Sequence, residues 1–394
     1  MKIPLSNPDI SDLEKFRVME VLNTPNLSLG PKLKEFENKF ADYIGLRYAV
    51  AINSGTSGLH LCIRTLDIKD SDEVLTTPFS FIASANCILF DRAKPVFVDI
   101  EEKSLNIDIN KLWDTIKKLK GKNQKLKAIL PVHVFGVPCE LDEMMYLAKE
   151  YELKVIEDSC EAIGAEYLSS YSIESNVKNK KLRKNKIWRK VGTFGDCGVF
   201  AFYPNKQITT GEGGMIVTDN KDIYKLCISM RNQGRSDNGS WLQHERLGYN
   251  YRLSDINCAL GIAQLERIDE ILAKRERVAR LYNERLKEIE ELIIPQLENN
   301  KKISWFVYVL RLTDKYSMED RDLILNKLRE KGIGCSNYFT PIHLQPFYRE
   351  IFGYKKGDFP ITEKVSERTI ALPFYNNLRE EQIGYICKNL KKII

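Results

Sequence analysis

Histidine pairs and paired cysteines, which hold many metal ions and disulfide frameworks, are missing from this sequence. The 394-residue chain has four histidines without an HxH or HxxxH pair, and its nine cysteines are scattered, odd in number and free of CxxC spacing. Zinc sites use such closely spaced ligands, and secreted scaffolds use even sets of cysteines. We therefore expect no metal site, no disulfide framework and a location in the reducing cytoplasm.

Long apolar runs are missing as well. No stretch of about 18 apolar residues occurs, although a membrane-spanning helix needs roughly that length. The first residues, MKIPLSNPDI, lack the apolar centre of a signal peptide. The sequence therefore predicts neither a membrane protein nor a secreted one.

An excess of positive charge is missing outside one short segment. The formal net charge is +6, but residues 178–190 (KNKKLRKNKIWRK) hold eight basic residues and no acidic one, so the rest of the chain is net negative. Nucleic-acid-binding domains carry basic residues spread over a face. We therefore expect no nucleic-acid partner.

Seven short apolar runs alternate with helical patterns in the first 220 residues. They cover residues 48–53, 73–77, 95–100, 127–134, 154–157, 199–203 and 214–218. Helical patterns begin near Thr56 and cover residues 141–151. Strands that are apolar on both faces and alternate with helices indicate a mostly parallel sheet covered on both sides. The sequence thus predicts an α/β fold with a large, doubly wound, seven-stranded sheet.

A change of pattern at Ser254 suggests a second unit. Ser254 has the position of an N-cap, and apolar residues at helical spacing continue to about Leu292, which predicts one unbroken connector helix. Beyond it the sequence predicts a smaller α+β domain, with strands over 303–312 and 332–338 and helices over 318–330 and 380–392. We expect a large domain over residues 1–253, and the connector helix with a small C-terminal domain over residues 254–394.

Three chemical features fall at strand ends, where parallel sheets bind ligands. Residues 54–57 (SGTS) lie where a strand passes into a helix, whose free N–H groups and positive end attract phosphate; an ordinary capped helix is the alternative. Asp158 ends a strand and either points into the cleft or caps the next helix. Lys206 follows an aromatic strand and precedes GEGG at 211–214, although most lysines are merely solvated.

One cofactor explains the three features together. Pyridoxal phosphate needs an anion site for its phosphate, an acid beside its ring nitrogen and a lysine amine for a Schiff base. Asp158 would keep the ring nitrogen protonated. Lys206 would form the Schiff base and, once displaced by an incoming amine, act as the base that moves the proton. The sequence therefore predicts Lys206 and Asp158 as catalytic residues, with a pyridoxamine phosphate form during turnover.

Several segments carry a more specific signal when taken together. They are SGTS at 54–57, TPFSFIAS at 77–84, ED at 157–158, AIGA at 162–165, GD at 195–196, NK at 205–206, GG at 213–214, GYNYRL at 248–253 and residues 338–343. In these segments, which span more than three quarters of the chain, the sequence resembles the DegT/DnrJ/EryC1/StrS family of sugar aminotransferases. The resemblance implies an aspartate-aminotransferase-like fold, the fold type I of pyridoxal phosphate enzymes.

The resemblance also implies roles toward the cofactor. The residues that would bind its phosphate are Gly55, Thr56 and Ser57. Phe81 would stack on the pyridine ring, and a core aromatic is the alternative for it. Asn250 would reach the cofactor phosphate of the neighbouring subunit, which implies a homodimer with shared active sites. His343 would face the sugar nucleotide together with Tyr338, and a surface loop residue is the alternative for His343.

Two positions depart from the family pattern. Ala201 stands where members usually carry a serine that binds the phosphate, which removes a hydroxyl donor worth about 1 kcal/mol. Glu161 stands near the cofactor's phenolic oxygen, where members often carry Gln or His. A carboxylate there would repel the phenolate, so we expect Glu161 to be protonated or turned toward a basic neighbour.

The implied activity is a transaminase that moves an amino group from L-glutamate to a nucleotide-linked 4-keto-6-deoxyhexose, for deoxyamino sugar and surface polysaccharide biosynthesis. The stretch NKQITTGEGG around Lys206 resembles the perosamine-synthase-like branch and favours C4 over C3. Lys206 argues against the members that carry histidine there and dehydrate the sugar. The alternatives are a C3-keto-sugar aminotransferase of the same family and a non-catalytic regulatory protein. The sequence leaves open the nucleotide, the stereochemistry and an N-acetyl group at C2.

The basic segment at residues 178–190 lies where family members usually have a shorter stretch. One interpretation is a solvated hairpin or loop insertion. The other is a positive flap at the mouth of the cleft that attracts the nucleotide diphosphate.

Overall fold

The structure is a computed structural model that describes residues 1–121, 125–171, 186–236, 243–296 and 298–394. Its strands, in chain order, are β1 (Tyr48–Ile52), β2 (Glu73–Thr76), β3 (Lys94–Phe97), β4 (Leu126–Ile129), β5 (Lys154–Asp158), β6 (Glu166–Ser169), β7 (Ile187–Lys190), β8 (Cys197–Ala201), β9 (Gly214–Thr218), β10 (Leu292–Ile293), β11 (Lys301–Lys302), β12 (Tyr308–Leu312) and β13 (Thr369–Leu372).

The helices within these ranges are α1 (Asp12–Leu22), α2 (Pro31–Ile44), α3 (Gly55–Thr65), α4 (Ala83–Leu89), α5 (Ile109–Lys120), α6 (Leu141–Glu150), α7 (Lys221–Arg231), α8 (Asp255–Glu266), α9 (Ile268–Leu286), α10 (Met318–Glu330), α11 (Pro346–Phe352), α12 (Pro360–Ser366) and α13 (Glu380–Ile393). Short 3₁₀ turns occur at Val134–Gly136 and Ile342–Leu344. In the part of the chain that the structure describes, every helix is too short or too polar to cross a bilayer.

The large sheet has seven strands in the order β1-β9-β8-β5-β4-β2-β3. The strands from β8 to β3 in this order are parallel, and β9 is antiparallel to both of its neighbours. Each of the seven apolar runs overlaps one of these strands. The predicted α/β fold with a mostly parallel, seven-stranded sheet is therefore confirmed.

Helices cover both faces of this sheet, as the residues of β1 show. Val50 and Ile52 pack with Leu59 of α3 in one buried cluster. Ala49 and the alternate residue Ala51 pack on the other face, in the cluster that contains α2 and α8. Successive side chains of a strand point to opposite faces, so a strand that is apolar throughout needs a helix layer on each side.

The predicted unbroken helix after Ser254 is wrong. The hydroxyl of Ser254 does cap α8 by accepting the N–H of Asn257 at 3.2 Å. However, the helix stops at Glu266, turns at Arg267 (φ −103°, ψ 10°) and continues as α9 only to Leu286. The turn has a packing reason, because α8 lies against α1 and α2 whereas the later part of α9 packs on the C-terminal sheet.

The C-terminal sheet contains β10, β12 and β13 in antiparallel order, with α9, α10 and α13 contributing to its buried cluster. The helices predicted over residues 318–330 and 380–392 are present as α10 and α13.

The strand predicted over residues 332–338 is wrong, since it makes only single bridges, from Ile333 to Ile3 and from Ser336 to Ala371. The strand predicted over 303–312 is shorter, since β12 begins only at Tyr308, and Phe306 lies outside it and lines the cavity described below. The domain division at residue 253 stays a prediction.

The basic segment is described only at its end. Residues 178–185 lie outside the described ranges, and Ile187–Lys190 form β7, which pairs antiparallel with β6 in a small sheet that also contains β11. Both interpretations of the segment stay predictions.

Candidate active site

A cavity of about 410 Å³ lies beyond the carboxyl ends of three strands of the large sheet. Its lining includes Ser54, which follows β1, Asp158, which ends β5, and Ala201, which ends β8. Of the residues predicted for the site, the structure brings seven to this lining: Gly55, Thr56, Phe81, Asp158, Glu161, Lys206 and Tyr338. Three predicted residues do not line it: Ser57, Asn250 and His343.

The first turn of α3 forms one end of the cavity. Ser54 is the N-cap, and its hydroxyl oxygen accepts the N–H of Ser57 at 3.1 Å. The hydroxyl of Ser57 lies 2.9 Å from the same oxygen, so its side chain is engaged at the cap. A Cβ at Gly55 would stand 2.8 Å from Cys160 Sγ and 2.9 Å from Ala201 Cβ. A side chain at position 55 would therefore collide with both residues, so glycine allows the start of α3 to pack against Cys160 and Ala201.

Asp158 supplies a buried carboxylate at the second strand end, where it is 4% exposed. Its Oδ2 accepts the hydroxyl of Ser84 at 2.7 Å, and its Oδ1 accepts the N–H of Cys160 at 3.2 Å. No helix starts at the next residues, which form turns, so the helix-cap alternative for Asp158 is wrong. Sequence reasoning gave no role to Ser84, although it ends the matching segment at residues 77–84.

Lys206 lies between an acid and an aromatic ring. Its Nζ is 3.6 Å from Oε1 of Glu161 and 3.9 Å from the ring centroid of Phe306. Oε2 of Glu161 accepts the N–H of Phe135 at 2.8 Å. Glu161 is thus turned toward a basic neighbour, one of the two arrangements expected from the sequence. Burial raises the pKa of Glu161 above its ordinary value, although the Lys206 ammonium and the Phe135 N–H oppose this.

Phe135 gives its N–H to Glu161 from an unusual backbone position. It has φ 56° and ψ 20°, the left-handed region that non-glycine residues rarely adopt. Nothing in the sequence around residue 135 signals this conformation.

Aromatic side chains form much of the remaining wall. Phe81 is 62% exposed and Tyr203 is 51% exposed, so the core-aromatic alternative for Phe81 is wrong. Tyr338 stacks on Phe339 with ring centroids 5.2 Å apart, and both line the cavity. Sequence reasoning missed Phe306 and Phe339, because only the fold brings them to the cavity that Lys206 lines.

His343 does not reach the cavity, and it is not a surface residue either. The side chain is fully buried, and its Nε2 lies 3.0 Å from Oε1 of Glu363. The same carboxylate accepts the N–H groups of Gly357 and Phe359. This loop therefore covers His343, which corrects both sequence interpretations of its position.

Asn250 is exposed and lies outside the cavity of its own chain. Its carbonyl oxygen accepts the Nδ2 group of Asn53 at 3.4 Å, so the segment passes close to the start of α3. The predicted contact of Asn250 with a neighbouring subunit stays a prediction.

The residues present fit pyridoxal phosphate. The start of α3, with Gly55 and Thr56, lines the cavity at a helix N-terminus, where free N–H groups can bind a phosphate. The buried carboxylate of Asp158 is placed to pair with a protonated ring nitrogen, and Lys206 offers an amine to the same cavity.

Comparisons with known proteins agree with this chemistry. The DegT/DnrJ/EryC1/StrS aminotransferase family matches residues 8–391. GDP-perosamine synthase of Escherichia coli O157:H7 is 35% identical over 99% of this chain and 98% of its own length. Among solved structures, Helicobacter pylori PseC, an aminotransferase involved in the biosynthesis of pseudoaminic acid, is 30% identical, with a TM-score of 0.88 over 100% of this chain and 99% of its own. The PLP-form of the putative sugar aminotransferase Spr1654 of Streptococcus pneumoniae is 25% identical, with a TM-score of 0.89 over 100% of this chain and 98% of its own.

Proposed function

Because the chain belongs to the DegT/DnrJ/EryC1/StrS aminotransferase family, we propose that it transfers an amino group from L-glutamate to a nucleotide-linked 4-keto-6-deoxyhexose. The chain is a pyridoxal-phosphate-dependent sugar aminotransferase. The observation that carries the proposal is the convergence of Lys206, Asp158 and the start of α3 on one cavity. Three details of the proposal go beyond family membership: the amino donor, the nucleotide and the carbon that is aminated.

When bound, pyridoxal phosphate supplies an electron-withdrawing ring and the carbon that carries the amino group between the two substrates. The start of α3, with Gly55 and Thr56, would hold its phosphate through backbone N–H groups and the Thr56 hydroxyl. Asp158 would pair with the ring nitrogen and keep it protonated, and Ser84 fixes the orientation of that carboxylate through its 2.7 Å hydrogen bond. Phe81, exposed on the cavity wall, would cover the ring face.

Lys206 would hold the cofactor through Nζ and, when an incoming amine displaces it, accept the proton from the substrate α-carbon. Its position suits this task, because the amine lies over the ring of Phe306 and beside Glu161. Glu161 would stand near the cofactor's phenolic oxygen, where a protonated carboxyl group can donate a hydrogen bond and a carboxylate would repel. Burial raises the pKa of Glu161 and so favours the protonated form, whereas the Lys206 ammonium and the Phe135 N–H favour the carboxylate.

The name of the Escherichia coli relative supports a nucleotide-linked sugar as substrate. The segment NKQITTGEGG around Lys206 favours amination at C4. To test this, purified enzyme is incubated with ¹⁵N-glutamate and nucleotide-linked 4-keto-6-deoxyhexoses carrying GDP, UDP or dTDP, with the 3-keto isomers as controls. We expect the label in a 4-amino product. Label found only in 3-amino products would contradict amination at C4 and leave the transaminase assignment intact.

The charge of the residues that line the cavity supports a contribution to the site from a second subunit. Among its lining residues in the described ranges, Lys206 is the only cation, whereas Asp158, Glu161 and Glu212 are acids. Glutamate and a nucleotide diphosphate are anions, and anions of this kind are usually held by cations. Asn250, which is exposed and followed closely by half-buried Arg252, would complete the cavity of the other copy in a homodimer.

Subunit mixing tests this sharing. Lys206→Ala and Asn250→Asp should each be inactive alone, the second because aspartate repels the cofactor phosphate. After subunit exchange, half of the dimers are mixed and one of their two sites is intact, so about a quarter of the wild-type activity should return. Activity that stays at the level of the two variants alone would show that each chain builds its own site.

A further inference from the structure

Arg275 of α9 is a buried arginine whose hydrogen bonds reach four neutral oxygens. The side chain is 3% exposed. Its Nε donates to the carbonyl of Trp305 at 2.8 Å and its Nη1 to Oδ1 of Asn376 at 2.8 Å. Its Nη2 donates to the carbonyls of Asn205 at 3.2 Å and Phe306 at 3.0 Å. Burial lowers the pKa of Arg275, and only Asp9 opposes this through space.

Burying a guanidinium group without a hydrogen-bonded carboxylate is costly unless its N–H donors find other acceptors. Here the hydrogen bonds of the guanidinium group join segments that are far apart in sequence. One is the backbone of Asn205, directly before Lys206. Another is the 305–306 backbone, which presents the ring of Phe306 at 3.9 Å from the Lys206 amine.

The same two parts are joined a second time on the other side of the lysine. Nε2 of Gln207 donates to the carbonyl and the hydroxyl of Ser304 and to the carbonyl of Glu161. The peptide segments around Lys206, Glu161 and Phe306 therefore form one hydrogen-bonded unit. Arg275 is the part of this unit that comes from α9.

We propose that Arg275 is a positioning residue for Lys206. Its planar fork fixes the separation between the Asn205 backbone and the Phe306 ring, and so holds the Lys206 amine toward the cavity. The proposal rests on the proposed function in one respect, namely that Lys206 is the residue that joins the cofactor. A lysine at position 275 would keep the charge but would not reproduce the fork geometry.

Arg277 offers a matched control on the same helix. It is half-buried, and its Nη2 donates to the carbonyls of Asn376 at 3.3 Å and Leu378 at 2.8 Å. These two hydrogen bonds reach the same C-terminal segment as Arg275 but neither Asn205 nor Phe306. Replacing Arg277 thus removes a comparable arginine and leaves the lysine unit intact.

The experiment compares Arg275→Lys, Arg275→Met and Arg277→Met with wild type. Two quantities are measured below the melting temperature of each variant: kcat, and the rate at which apoenzyme recombines with pyridoxal phosphate, followed by visible absorbance. Borohydride reduction and peptide mapping then confirm that Lys206 is labelled. For both Arg275 variants we expect kcat and the recombination rate to fall about 10- to 100-fold, because small misplacements of a reacting group have effects of this order. The KM for the keto-sugar should stay within about twofold, and Arg277→Met should change each quantity by less than about threefold.

Wild-type kcat and recombination rate in Arg275→Lys, with only a lower melting temperature, would overturn the proposal and leave Arg275 a structural residue. If the Arg275 variants do not fold, Phe306→Leu decides, because it keeps the carbonyl that Arg275 binds and removes the ring. A wild-type recombination rate in that variant would also overturn the proposal. Absence of label on Lys206 in the wild-type protein would instead contradict the proposed function.

Discussion

Glu157 and Asp158 are neighbours at the end of β5, yet their carboxylates lie in opposite surroundings. The side chain of Glu157 is fully buried and does not line the cavity. It accepts hydrogen bonds from the N–H groups of Gly192, Phe194 and Gly195 and lies 3.2 Å from the imidazole of His133. Burial raises the pKa of Glu157, but these partners outweigh it and hold the pKa below its ordinary value.

Asp158 faces the cavity side and has fewer partners. The hydroxyl of Ser84 and the N–H of Cys160 are bound to its two oxygens. A carboxylate can accept about four hydrogen bonds, so Asp158 keeps acceptor capacity for a ligand, whereas Glu157 has none left. Two acids on one strand therefore differ in the acceptor capacity that the fold leaves them for a ligand.

The largest effect that would test this comparison is expected from Asp158→Ala. Without the carboxylate the ring nitrogen of the cofactor loses its counter-charge, and we expect kcat to fall by at least about 10²-fold. Asp158→Asn keeps the shape without the charge and should be slowed similarly. Initial rates at saturating glutamate measure both. A near-normal rate in either variant would contradict the role of Asp158.

Glu157→Gln should have the opposite effects, a loss of stability with little change in kcat. The amide cannot satisfy the same N–H donors, so the free energy of unfolding should fall by about 2–3 kcal/mol, while kcat stays within about threefold. Because the pKa of Glu157 is lowered in the folded state, its stabilisation is present above the ordinary glutamate pKa and is lost as the pH falls. Urea unfolding at several pH values should therefore show a difference from wild type that shrinks on acidification. A large loss of kcat in folded Glu157→Gln would break the comparison.

The residues that sequence reasoning could find are those whose signal is local. Gly55, Asp158 and Lys206 each follow or end a strand of a predictable parallel sheet, so the order of elements places them at one edge. The apolar runs also predicted the seven strands, because both faces of this sheet are buried. Local patterns were therefore sufficient to predict the positions of these three residues.

The rest of the site depends on contacts between distant segments. Phe306 lies over the Lys206 amine, Phe135 donates its N–H to Glu161, and Arg275 binds the Asn205 carbonyl next to Lys206. These contacts follow from packing and backbone turns that cannot be predicted from sequence spacing. The turn at Arg267 is of the same kind, since the apolar pattern continues through it and the bend follows from what each helix packs against. His343 shows the converse, because a residue in a matching segment can be fully enclosed by its own loop.

His343→Gln tests that last difference with a smaller effect. Loss of the contact with Glu363 should lower the free energy of unfolding by about 1 kcal/mol, and the KM for the sugar nucleotide should stay within about twofold. Tyr338→Phe, on the cavity wall, is the matched control and should raise that KM more than His343→Gln does. A tenfold rise of KM in His343→Gln without loss of stability would show that His343 contacts the substrate after all.

Glu161→Gln addresses the remaining acid of the cavity through its pH dependence. As the pH rises past the raised pKa of Glu161, the wild-type carboxyl group loses its proton and places a negative charge beside the phenolic oxygen of the cofactor. The affinity of wild type for pyridoxal phosphate should then fall, with a matching step in the visible absorbance at a pH above the ordinary range of glutamate. The glutamine variant cannot ionise, so this step should be missing from its titration. Identical titrations of the two proteins would show that Glu161 does not change its charge in the loaded site, and would contradict this prediction.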